Sequence, residues 1–426
     1  MNRRFYNIAF YLIMPLVLLR LLWMSVQQPA YARRWTERFG FIGRTLAGRS
    51  EQQWIWVHAV SVGETMAAEP LIRRLRAQHP EYGILITTMT PTGSERVREL
   101  FGEEVCHVYA PYDYSGAVKR FLGKVRPRLV ILMETELWPN LVYYAKRSGA
   151  QVVVANARLS ERSARGYNKF AGLGKPMLQQ IDCIIAQAES DAARFRRLGV
   201  DPSRLHVTGS LKVEVSLPPE VDLRRRAARF QQMVAGERPI WIAASTRDGE
   251  EEKVLDALRR VQRDIPDVLL VLVPRHPERF DSVARLCQKS RFRTVRRSSE
   301  QRIDAITSVF LGDSMGEMIA YYGMADIAFV GGSLVDTGCQ NVLEPAALGL
   351  PILTGPSQYN FQTICEQLQD GGALQQVPDE QALAGALVSL FRDPQRQRTM
   401  GESGMRVIQQ NRGALERVHE VLRGYL

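Results

Sequence analysis

The feature that most restricts the fold is a regular alternation of apolar, strand-like runs with helix-like stretches, which occurs twice along the chain. The first series comprises Trp54–Ala59, Ile84–Met89, Val105–Tyr109, Leu129–Met133, Val152–Ala155, Ile181–Ala186 and Leu205–Thr208. The second comprises Ile240–Ala244, Val268–Val273, Thr307–Leu311, Ile327–Val330 and Ile352–Leu353. Such alternation is typical of βαβ units, whose parallel sheets are covered on both faces. The sequence therefore predicts two α/β domains that face each other across a cleft.

The rhythm breaks between the two series. Residues 214–239 contain Pro218-Pro219, an arginine run at 224–226 and Gly236, a composition that favours an interdomain connection. We therefore predict a first domain over residues 29–215, a linker over 216–238 and a second domain over 239–400. Residues 401–426 carry leucines and valines at helical spacing, and we expect a helix there that crosses back to the first domain.

Residues 1–28 hold the most apolar stretch of the chain. Arg20 interrupts it before the roughly 20 clean residues that a membrane span needs, and no cleavage site follows, which predicts an uncleaved anchor or an interfacial helix. A buried helix of a soluble domain is the alternative. The arginines that follow the segment outnumber Arg3 and Arg4 ahead of it, which places the body on the cytoplasmic side of a membrane. They are Arg33, Arg34, Arg38 and Arg44.

Charge and cysteine content restrict the partners. Lys and Arg number 56 against 45 Asp and Glu, a net charge of +11 that favours phosphate-bearing partners or an anionic membrane surface. No nucleic-acid-binding motif accompanies the charge, which argues against a nucleic acid partner. The five cysteines never form C-x-x-C and the six histidines show no ligand spacing, so we expect neither a disulfide framework nor a zinc site. This cysteine usage favours the reducing cytosol.

A candidate for acid–base chemistry lies directly after the first strand-like run, in His58-Ala-Val-Ser-Val-Gly-Glu64. Gly63 would let a substrate approach the backbone, and Glu64 would project from the first helical turn into the crevice beyond the carboxyl end of the strand. A carboxylate there can accept a proton from a hydroxyl. Ser61-Val-Gly-Glu64 also matches a capping box, in which both side chains satisfy free N–H groups. Both interpretations fit these residues.

Two further candidate residues lie just after later strand-like runs of the first series. Glu134 closes the run Leu129–Met133, where a carboxylate would face the same crevice as Glu64 and could stabilise developing positive charge. The alternative is a first-turn residue favoured by the helix dipole, a role for which Glu136 is the better candidate. Lys212 follows a glycine turn just before the linker, where an ammonium suits a phosphate or carboxylate. A solvated surface lysine is the alternative there.

The second series offers candidates for phosphate and nucleoside binding. Arg275 follows an apolar run and could grip an anionic oxygen with paired donors, unless Glu278 neutralises it. Ser314-Met-Gly-Glu317 and Asn341-Val-Leu-Glu344 are each expected to open a helix. The free N–H groups would suit a phosphate, while a glutamate one turn in accepts ribose or amino donors. Capping boxes would explain both spacings without a ligand. Gly331-Gly332-Ser333 adds a glycine turn.

Proton acceptors in one domain and phosphate contacts in the other are what a transferase with a nucleotide-linked donor needs, and no Walker-type, G-x-G-x-x-G or G-x-S-x-G signature competes. In combination, several motifs resemble those of the bacterial 3-deoxy-D-manno-octulosonic acid (Kdo) transferases over nearly the whole chain. They are Ser61-Val-Gly-Glu64, Thr88-Met-Thr-Pro-Thr-Gly-Ser94, Met133-Glu-Thr-Glu-Leu-Trp-Pro-Asn140, Asn156-Ala-Arg-Leu-Ser160, Pro274-Arg-His-Pro-Glu-Arg279 and Phe329-Val-Gly-Gly-Ser333.

The resemblance implies a GT-B fold of two Rossmann-like domains with an N-terminal membrane-associated helix, a CMP-Kdo donor and lipid IVA, the lipid A precursor, as acceptor. It implies work on the cytoplasmic face of a Gram-negative inner membrane, without a redox cofactor or an obvious metal. By motif, the residue roles are general base for Glu64, transition-state stabilisers for Glu134 and Lys212, and CMP contacts for Pro274, Arg275, Met315, Gly316, Glu317, Asn341, Val342, Leu343 and Glu344.

One position departs from the family pattern. Where many relatives have Gly-Gly-His-Asn-Pro-Leu-Glu, this chain has Gly338-Cys-Gln-Asn-Val-Leu-Glu344, so Gln340 replaces a histidine and can still donate a hydrogen bond. The alternatives are another membrane-associated GT-B transferase, a nucleotide-sugar epimerase, and a non-catalytic sugar-binding sensor. A sensor would bind its ligand without turnover and would not need Glu64.

Overall fold

The computed structural model describes residues 2–43, 46, 52–216, 220–228, 230 and 238–426. The chain divides into two compact units. Unit 1 comprises Met1–Val215 with Asn411–Leu426, and unit 2 comprises Ser216–Gln410. Pro218-Pro219 and Gly236 of the predicted linker, like Arg44, lie outside the described residues.

Unit 1 is built on a parallel sheet of seven strands in the order β3-β2-β1-β4-β5-β6-β7, as far as the described residues show. The strands are β1 (Trp54–His58), β2 (Gly83–Thr88), β3 (Cys106–Tyr109), β4 (Pro127–Met133), β5 (Gln151–Ala157), β6 (Cys183–Ala186) and β7 (Leu205–Val207). The helices are α1 (Arg3–Gln27), α2 (Trp35–Arg38), α3 (Val62–Gln78), α4 (Pro91–Phe101), α5 (Ser115–Val125), α6 (Pro139–Arg147), α7 (Glu161–Lys169), α8 (Ala171–Leu178), α9 (Glu189–Arg197) and α10 (Leu211–Ser216).

Burial on both faces explains why the strands of unit 1 read as unbroken apolar runs. Along β1, Trp56 belongs to one core cluster, while Ile55 and Val57 belong to the cluster on the opposite face. In β4, Val130 and Ile131 divide between the same two clusters. Side chains that alternate between two buried faces leave few polar positions in the strand.

Unit 2 repeats this architecture with the order β10-β11-β9-β8-β12-β13-β14, again in parallel. The strands are β8 (Ile240–Thr246), β9 (Leu269–Pro274), β10 (Thr294–Arg296), β11 (Val309–Leu311), β12 (Ile327–Val330), β13 (Ile352–Thr354) and β14 (Leu374–Gln376). The helices are α11 (Glu220–Ala227), α12 (Glu251–Asp264), α13 (Phe280–Lys289), α14 (Met318–Tyr322), α15 (Leu343–Ala347), α16 (Gln362–Asp370), α17 (Glu380–Phe391) and α18 (Pro394–Asn411), and α19 (Ala414–Leu422) follows in unit 1.

The C-terminal residues complete unit 1. Ala414, Val418 and Leu422 of α19 join Leu211 in a core cluster beneath the sheet. The guanidinium of Arg417 donates two hydrogen bonds to the carbonyl oxygen of Thr208, at 2.9 and 2.7 Å. The end of the chain therefore packs beside the segment that carries Lys212.

Candidate functional site

Glu64 lies in the first turn of α3, the helix that follows β1, where the sequence predicted a first-turn residue. Ser61 is the N-cap of α3, and its hydroxyl accepts a hydrogen bond from the Glu64 N–H at 3.3 Å. The Glu64 carboxylate accepts hydrogen bonds from the Val60 N–H at 2.8 Å and from the Ser61 hydroxyl at 3.0 Å. Glu64 thus has the local contacts of a capping residue, the alternative that the sequence left open.

The environment of Glu64 also suits a base. The residue is only 8% exposed. Burial, followed by the negative charges of Glu136 and Glu134, raises the pKa of its carboxyl to about 8, although the hydrogen bonds from Val60 and Ser61 oppose this shift. A base is most effective when its pKa lies near the working pH. The same side chain therefore has the contacts of a cap and the raised pKa that suits a base.

Glu134 and Lys212 meet at the carboxyl end of β4. The Lys212 Nζ lies 3.1 Å from the Glu134 Oε1, and both side chains are largely buried. The side-chain amide of Asn156 approaches the same carboxylate oxygen at 3.5 Å. Asn156 also accepts a hydrogen bond from the Leu211 N–H at 3.0 Å, so it orients both the carboxylate and the helix start that carries the lysine.

The backbone is strained at this point. Glu134 and Asn156 both adopt the left-handed conformation, with φ of 52° and 54°. Non-glycine residues in this region carry a free-energy cost and are concentrated at functional sites. Asn156 is a site residue that our sequence reasoning did not single out, although it opens one of the family motifs.

Glu136 and His58 are two further titratable residues near Glu64. Burial raises the pKa of Glu136, whose carboxylate accepts a hydrogen bond from the Trp138 indole N–H at 2.9 Å. His58 is fully buried, with Nδ1 2.8 Å from the Thr87 hydroxyl, and burial lowers its pKa to about 3. The imidazole is therefore neutral and cannot hold a proton released at neutral pH. Three carboxylates and one ammonium dominate the site.

A cavity of about 370 Å³ opens beside these carboxylates. Its wall includes Thr135 and Leu137, which flank Glu136 in the chain. Burial, and then the charge of Glu136, raises the pKa of Tyr167 in the same wall to about 12. Most of its lining is apolar, and Arg158 supplies the cationic side chain. The lining residues are Thr135, Leu137, Pro139, Arg158, Leu159, Ser163, Gly166, Tyr167, Phe170, Leu173, Gly174 and Met177.

In unit 2, Arg275, Asn341 and Glu344 lie close together. Burial raises the pKa of Glu344 to about 7, while a hydrogen bond from Asn341 and the charge of Arg275 oppose the rise. Arg275 follows buried Pro274 at the end of β9, is exposed, and forms no ion pair within the part of the chain that the structure describes. Glu278 does not neutralise it, contrary to the alternative considered from the sequence, because Glu278 lies 3.8 Å from His276 instead.

The helix starts differ from prediction in register. α14 begins at Met318, one residue after Glu317, whose carboxylate is 3.2 Å from Arg297 and accepts a hydrogen bond from Ser314. Glu317 is therefore not one turn into a helix. α15 begins at Leu343, and the side-chain oxygen of Asn341 accepts a hydrogen bond from its N–H at 3.0 Å.

The remaining predicted CMP contacts differ in exposure. Met315 is 58% exposed, and Gly316 adopts a left-handed φ of 77°. Val342 and Leu343 are each 0% exposed over the whole residue.

The glycine turn after β12 is already occupied by a side chain. The N–H groups of Gly332, Ser333 and Leu334 donate to the carboxylate of buried Glu250 at 2.6, 3.1 and 2.9 Å. A Cβ at Gly331 would come within 2.8 Å of the same carboxylate, so a larger residue is excluded there. Glu250 carries no motif, and our sequence reasoning missed it. This cradle holds an internal anion rather than a phosphate.

Ser245 is a second residue that the sequence did not indicate. It follows Ala244 near the end of β8 with φ of 56°, the same left-handed conformation as Glu134 in unit 1. The strain again lies at the carboxyl end of a parallel strand, where open α/β sheets bind their ligands. Within the described residues no group of three or more His, Cys, Asp or Glu side chains is placed to hold a metal ion.

Comparison with known proteins gives the same division of the chain. Residues 33–215 match the family model described as 3-deoxy-D-manno-octulosonic-acid transferase (kdotransferase), and residues 242–407 match glycosyl transferases group 1. The Neisseria meningitidis UDP-GlcNAc 2-epimerase bound to UDP-GlcNAc aligns with a TM-score of 0.56 at 13% identity, covering 88% of this chain and 100% of that one. At that identity the match shows the fold alone, and it confirms two Rossmann-like domains with parallel sheets.

Two relatives are similar over their whole length. The 3-deoxy-D-manno-octulosonic acid transferase of Haemophilus influenzae is 42% identical over 100% of this chain and 99% of its own length. The protein of the same name from Bordetella pertussis is 34% identical over 100% of both chains. The resemblance seen in the motifs is thereby confirmed. This chain belongs to the 3-deoxy-D-manno-octulosonic acid transferase family of glycosyltransferases.

Proposed function

We propose that this enzyme transfers Kdo from CMP-Kdo to lipid IVA, with inversion at the anomeric carbon, on the cytoplasmic face of a Gram-negative inner membrane. The observation that carries the proposal is the buried Glu64 carboxyl, with a pKa of about 8, beside the Glu134–Lys212 pair. The names of the Haemophilus and Bordetella relatives support the transferred sugar. No metal or redox cofactor enters the proposed chemistry.

Glu64 is the proposed general base. An acceptor hydroxyl attacks the anomeric carbon of Kdo, a carbon–oxygen bond forms there, and the bond to the phosphate of CMP breaks on the opposite face. The hydroxyl proton passes to the Glu64 carboxylate, and the electron pair of the broken bond leaves with CMP. Because a held phosphate is a good leaving group, the step needs a base and charge stabilisation rather than a covalent intermediate.

Glu134 and Lys212 are the proposed transition-state stabilisers. The anomeric carbon gains positive character as CMP departs, and the Glu134 carboxylate can stabilise it. The Lys212 ammonium, 3.1 Å from that carboxylate, can hold the sugar carboxylate or the departing phosphate. Because Asn156 contacts both the Glu134 carboxylate and the start of α10, it fixes the position of Glu134 relative to Lys212.

The proposed donor contacts lie in unit 2. Arg275 is exposed and has no ion-pair partner among the described residues, so its fork of donors suits the phosphate of CMP. Asn341 and Glu344 offer polar groups for the ribose or the cytosine. Pro274 and residues 315–317 and 342–343 are the other CMP contacts that the family motifs imply.

The acceptor side of the proposal draws on the cavity beside Glu136. Its apolar wall of Leu159, Phe170, Leu173 and Met177 suits the hydrocarbon part of a lipid, and Arg158 at its margin suits an acidic headgroup. Its volume of about 370 Å³ falls in the range of small-molecule sites. A soluble sugar acceptor would have little use for such a surface.

The test is a transfer assay with purified enzyme, CMP-Kdo and lipid IVA, read by mass spectrometry of the lipid. We expect a product heavier by Kdo, and the loss of transfer in Glu64→Gln without loss of CMP binding. Glu64→Gln tests the base more specifically than an alanine variant does. Its amide oxygen can still accept the Val60 hydrogen bond and preserve the helix cap, so only the ionisable group is lost. Glu99→Gln, an exposed carboxylate of the same unit, is the matched control.

Two other functions predict different results. A related transferase or an epimerase would consume a UDP-linked sugar in place of CMP-Kdo. A sugar-binding sensor would bind CMP-Kdo without turnover and would be indifferent to Glu64→Gln. Either outcome would refute the proposal.

A further inference from the structure

Helix α1 is long and apolar enough to cross a bilayer, the only such helix among the described residues. At about 1.5 Å per residue its 25 residues are roughly 37 Å long. A crossing helix must separate its two ends by a hydrocarbon layer of about 30 Å. The positions of the two ends relative to unit 1 therefore decide whether α1 can cross.

The N-terminal end of α1 is bonded to unit 1. The Tyr6 hydroxyl donates to the carboxylate of Asp113 at 2.9 Å, and the Asn140 side-chain amide donates to the side-chain oxygen of Asn7 at 2.7 Å. Asp113 is 5% exposed and also accepts hydrogen bonds from the backbone N–H groups of Asn140 and Leu141. Additional contacts join Arg3 to Tyr144 and Tyr11 to Ser115.

The C-terminal end of α1 returns to the same unit within a few residues. Glu37 accepts a hydrogen bond from the Tyr109 N–H at 2.8 Å. Arg38 is 2% exposed and donates to the carbonyl oxygen of Met89 at 3.1 Å. Arg34 donates to the carbonyl oxygen of His107 at 2.8 Å. The seven residues from Gln28 to Arg34 that follow α1 reach at most about 25 Å when fully extended, less than the hydrocarbon layer. Both ends of the helix are thus tied to one folded body.

The two sides of α1 differ in solvent exposure along the whole helix. One stripe is buried or half-buried, and Leu21 on it is only 4% exposed. At 3.6 residues per turn, the opposite stripe consists of exposed apolar side chains. These are Phe5, Ile8, Leu12, Leu16, Leu19, Leu22, Trp23 and Val26. The exposed Arg4 and Arg20 lie on the two edges of this apolar stripe. A helix surrounded by lipid has no reason for such a division, whereas a helix lying at a membrane surface does.

We propose that α1 is an interfacial helix that does not cross the membrane. It lies along unit 1, held by the Tyr6–Asp113 and Asn7–Asn140 hydrogen bonds, with its apolar stripe inserted at the acyl boundary of an anionic bilayer. Arg4 and Arg20 extend from the edges of the stripe to the lipid phosphates. The inference rests on the proposed function only for the membrane location, and neither test below requires sugar transfer.

The first test is topology, by labelling Asn2→Cys with a membrane-impermeant maleimide in spheroplasts of cells that produce the full chain. The five native cysteines are buried, so they give a low background. We expect labelling only after the membrane is permeabilised, identical to that of the matched variant Gln28→Cys at the other end of the helix. Labelling of Asn2→Cys in intact spheroplasts, with Gln28→Cys still protected, would mean that α1 crosses and would overturn the proposal.

The second test is binding of the purified full chain to vesicles that contain phosphatidylglycerol. Leu16→Glu should lower partitioning by about tenfold or more, because a leucine side chain leaves the acyl boundary. Ile306→Glu in unit 2 is the matched control, since Ile306 and Leu16 are both 64% exposed, and it should bind as the unmodified chain does. An unchanged Tm and an unchanged far-UV circular dichroism spectrum verify the folding of both variants. Unchanged partitioning of Leu16→Glu, or an equal loss in Ile306→Glu, would contradict the proposal.

Discussion

The raised pKa of Glu64 leads to a prediction about pH. A general base must be ionised, so kcat/KM should rise with pH and level off above about 8. At pH 7 roughly one tenth of the enzyme would carry the active carboxylate, because each unit below the pKa reduces the ionised form about tenfold. Glu136→Gln removes one of the charges that raise this pKa and should move the midpoint of the profile to lower pH. The movement should be about one pH unit or less, because burial is the larger cause.

The same shift has a consequence for stability. A rise from 4.5 to about 8 corresponds to ~5 kcal/mol, at about 1.36 kcal/mol for each pH unit. Because the pKa is higher in the folded than in the unfolded state, the folded state binds more protons between these two pH values. The free energy of unfolding should therefore fall as pH rises from 4.5 to 8. Glu64→Gln should remove this pH dependence and be more stable than the unmodified enzyme at pH 9.

The measurements are initial rates at saturating CMP-Kdo across pH 5.5 to 9.5, and urea unfolding across a range that extends down to about pH 4.5. Glu99→Gln, an exposed carboxylate of the same unit, is the control and should leave the rate profile unchanged. A rate profile that is already flat at pH 6, or a midpoint that Glu136→Gln moves upward, would refute the reasoning. Either result would mean that Glu64 is an ordinary ionised capping residue.

Three further variants test other parts of the site. Lys212→Met should lower kcat by about 10²-fold or more with CMP binding retained, since a charge is lost next to the reacting carbon; unchanged kcat would exclude the proposed role. Arg275→Ala should weaken CMP binding about tenfold. Arg279→Ala should instead lower the Tm, because Arg279 pairs with a buried glutamate. If both variants had a lower Tm and unchanged CMP affinity, Arg275 would not be a CMP contact. Gly166→Leu should fill part of the cavity without a clash, because a Cβ at Gly166 meets nothing within 4 Å. It should therefore raise the KM for the lipid acceptor. Gly123→Leu is the control, since Gly123 is an equally open helical glycine, and it should leave this KM unchanged.

Sequence patterns predicted the strands that coincide with an apolar run and missed two short strands that do not. In the part of unit 1 that the structure describes, the seven strands all coincide with predicted runs, as do the central strands of unit 2. The two strands that escaped prediction, β10 and β14, are three-residue edge strands of sequence Thr-Val-Arg and Leu-Gln-Gln. Edge position alone is not the reason, because β3 and β7 are also edge strands and were predicted. β10 and β14 differ in being polar at two of their three positions, so they contain no apolar run.

Sequence patterns also predicted only some of the candidate site residues. Glu64, Glu134 and Lys212 were predicted as site residues because each comes after a strand and carries a charge suited to chemistry. Asn156 and Glu250 escaped because their roles depend on partners far away in the sequence: the Leu211 N–H for one and the 332–334 turn for the other. The register of α14 was wrong for a local reason, since Ser314 bonds to the Glu317 carboxylate ahead of the helix and not inside it. A spacing of three residues does not distinguish these cases.

The packing of the C-terminal segment against unit 1 has a consequence for protein engineering. The Ser210 N–H donates to the side-chain oxygen of Asn411, and a Cβ on Gly209 would lie 3.0 Å from the Asn411 Cα. The turn before α10, the helix that carries Lys212, is therefore held by a residue about two hundred positions downstream. A fragment cut after residue 215 would lack this support, and adding residues 411–426 as a separate peptide should restore it. A circular permutant that begins at Asn411 would keep the first unit contiguous in the chain.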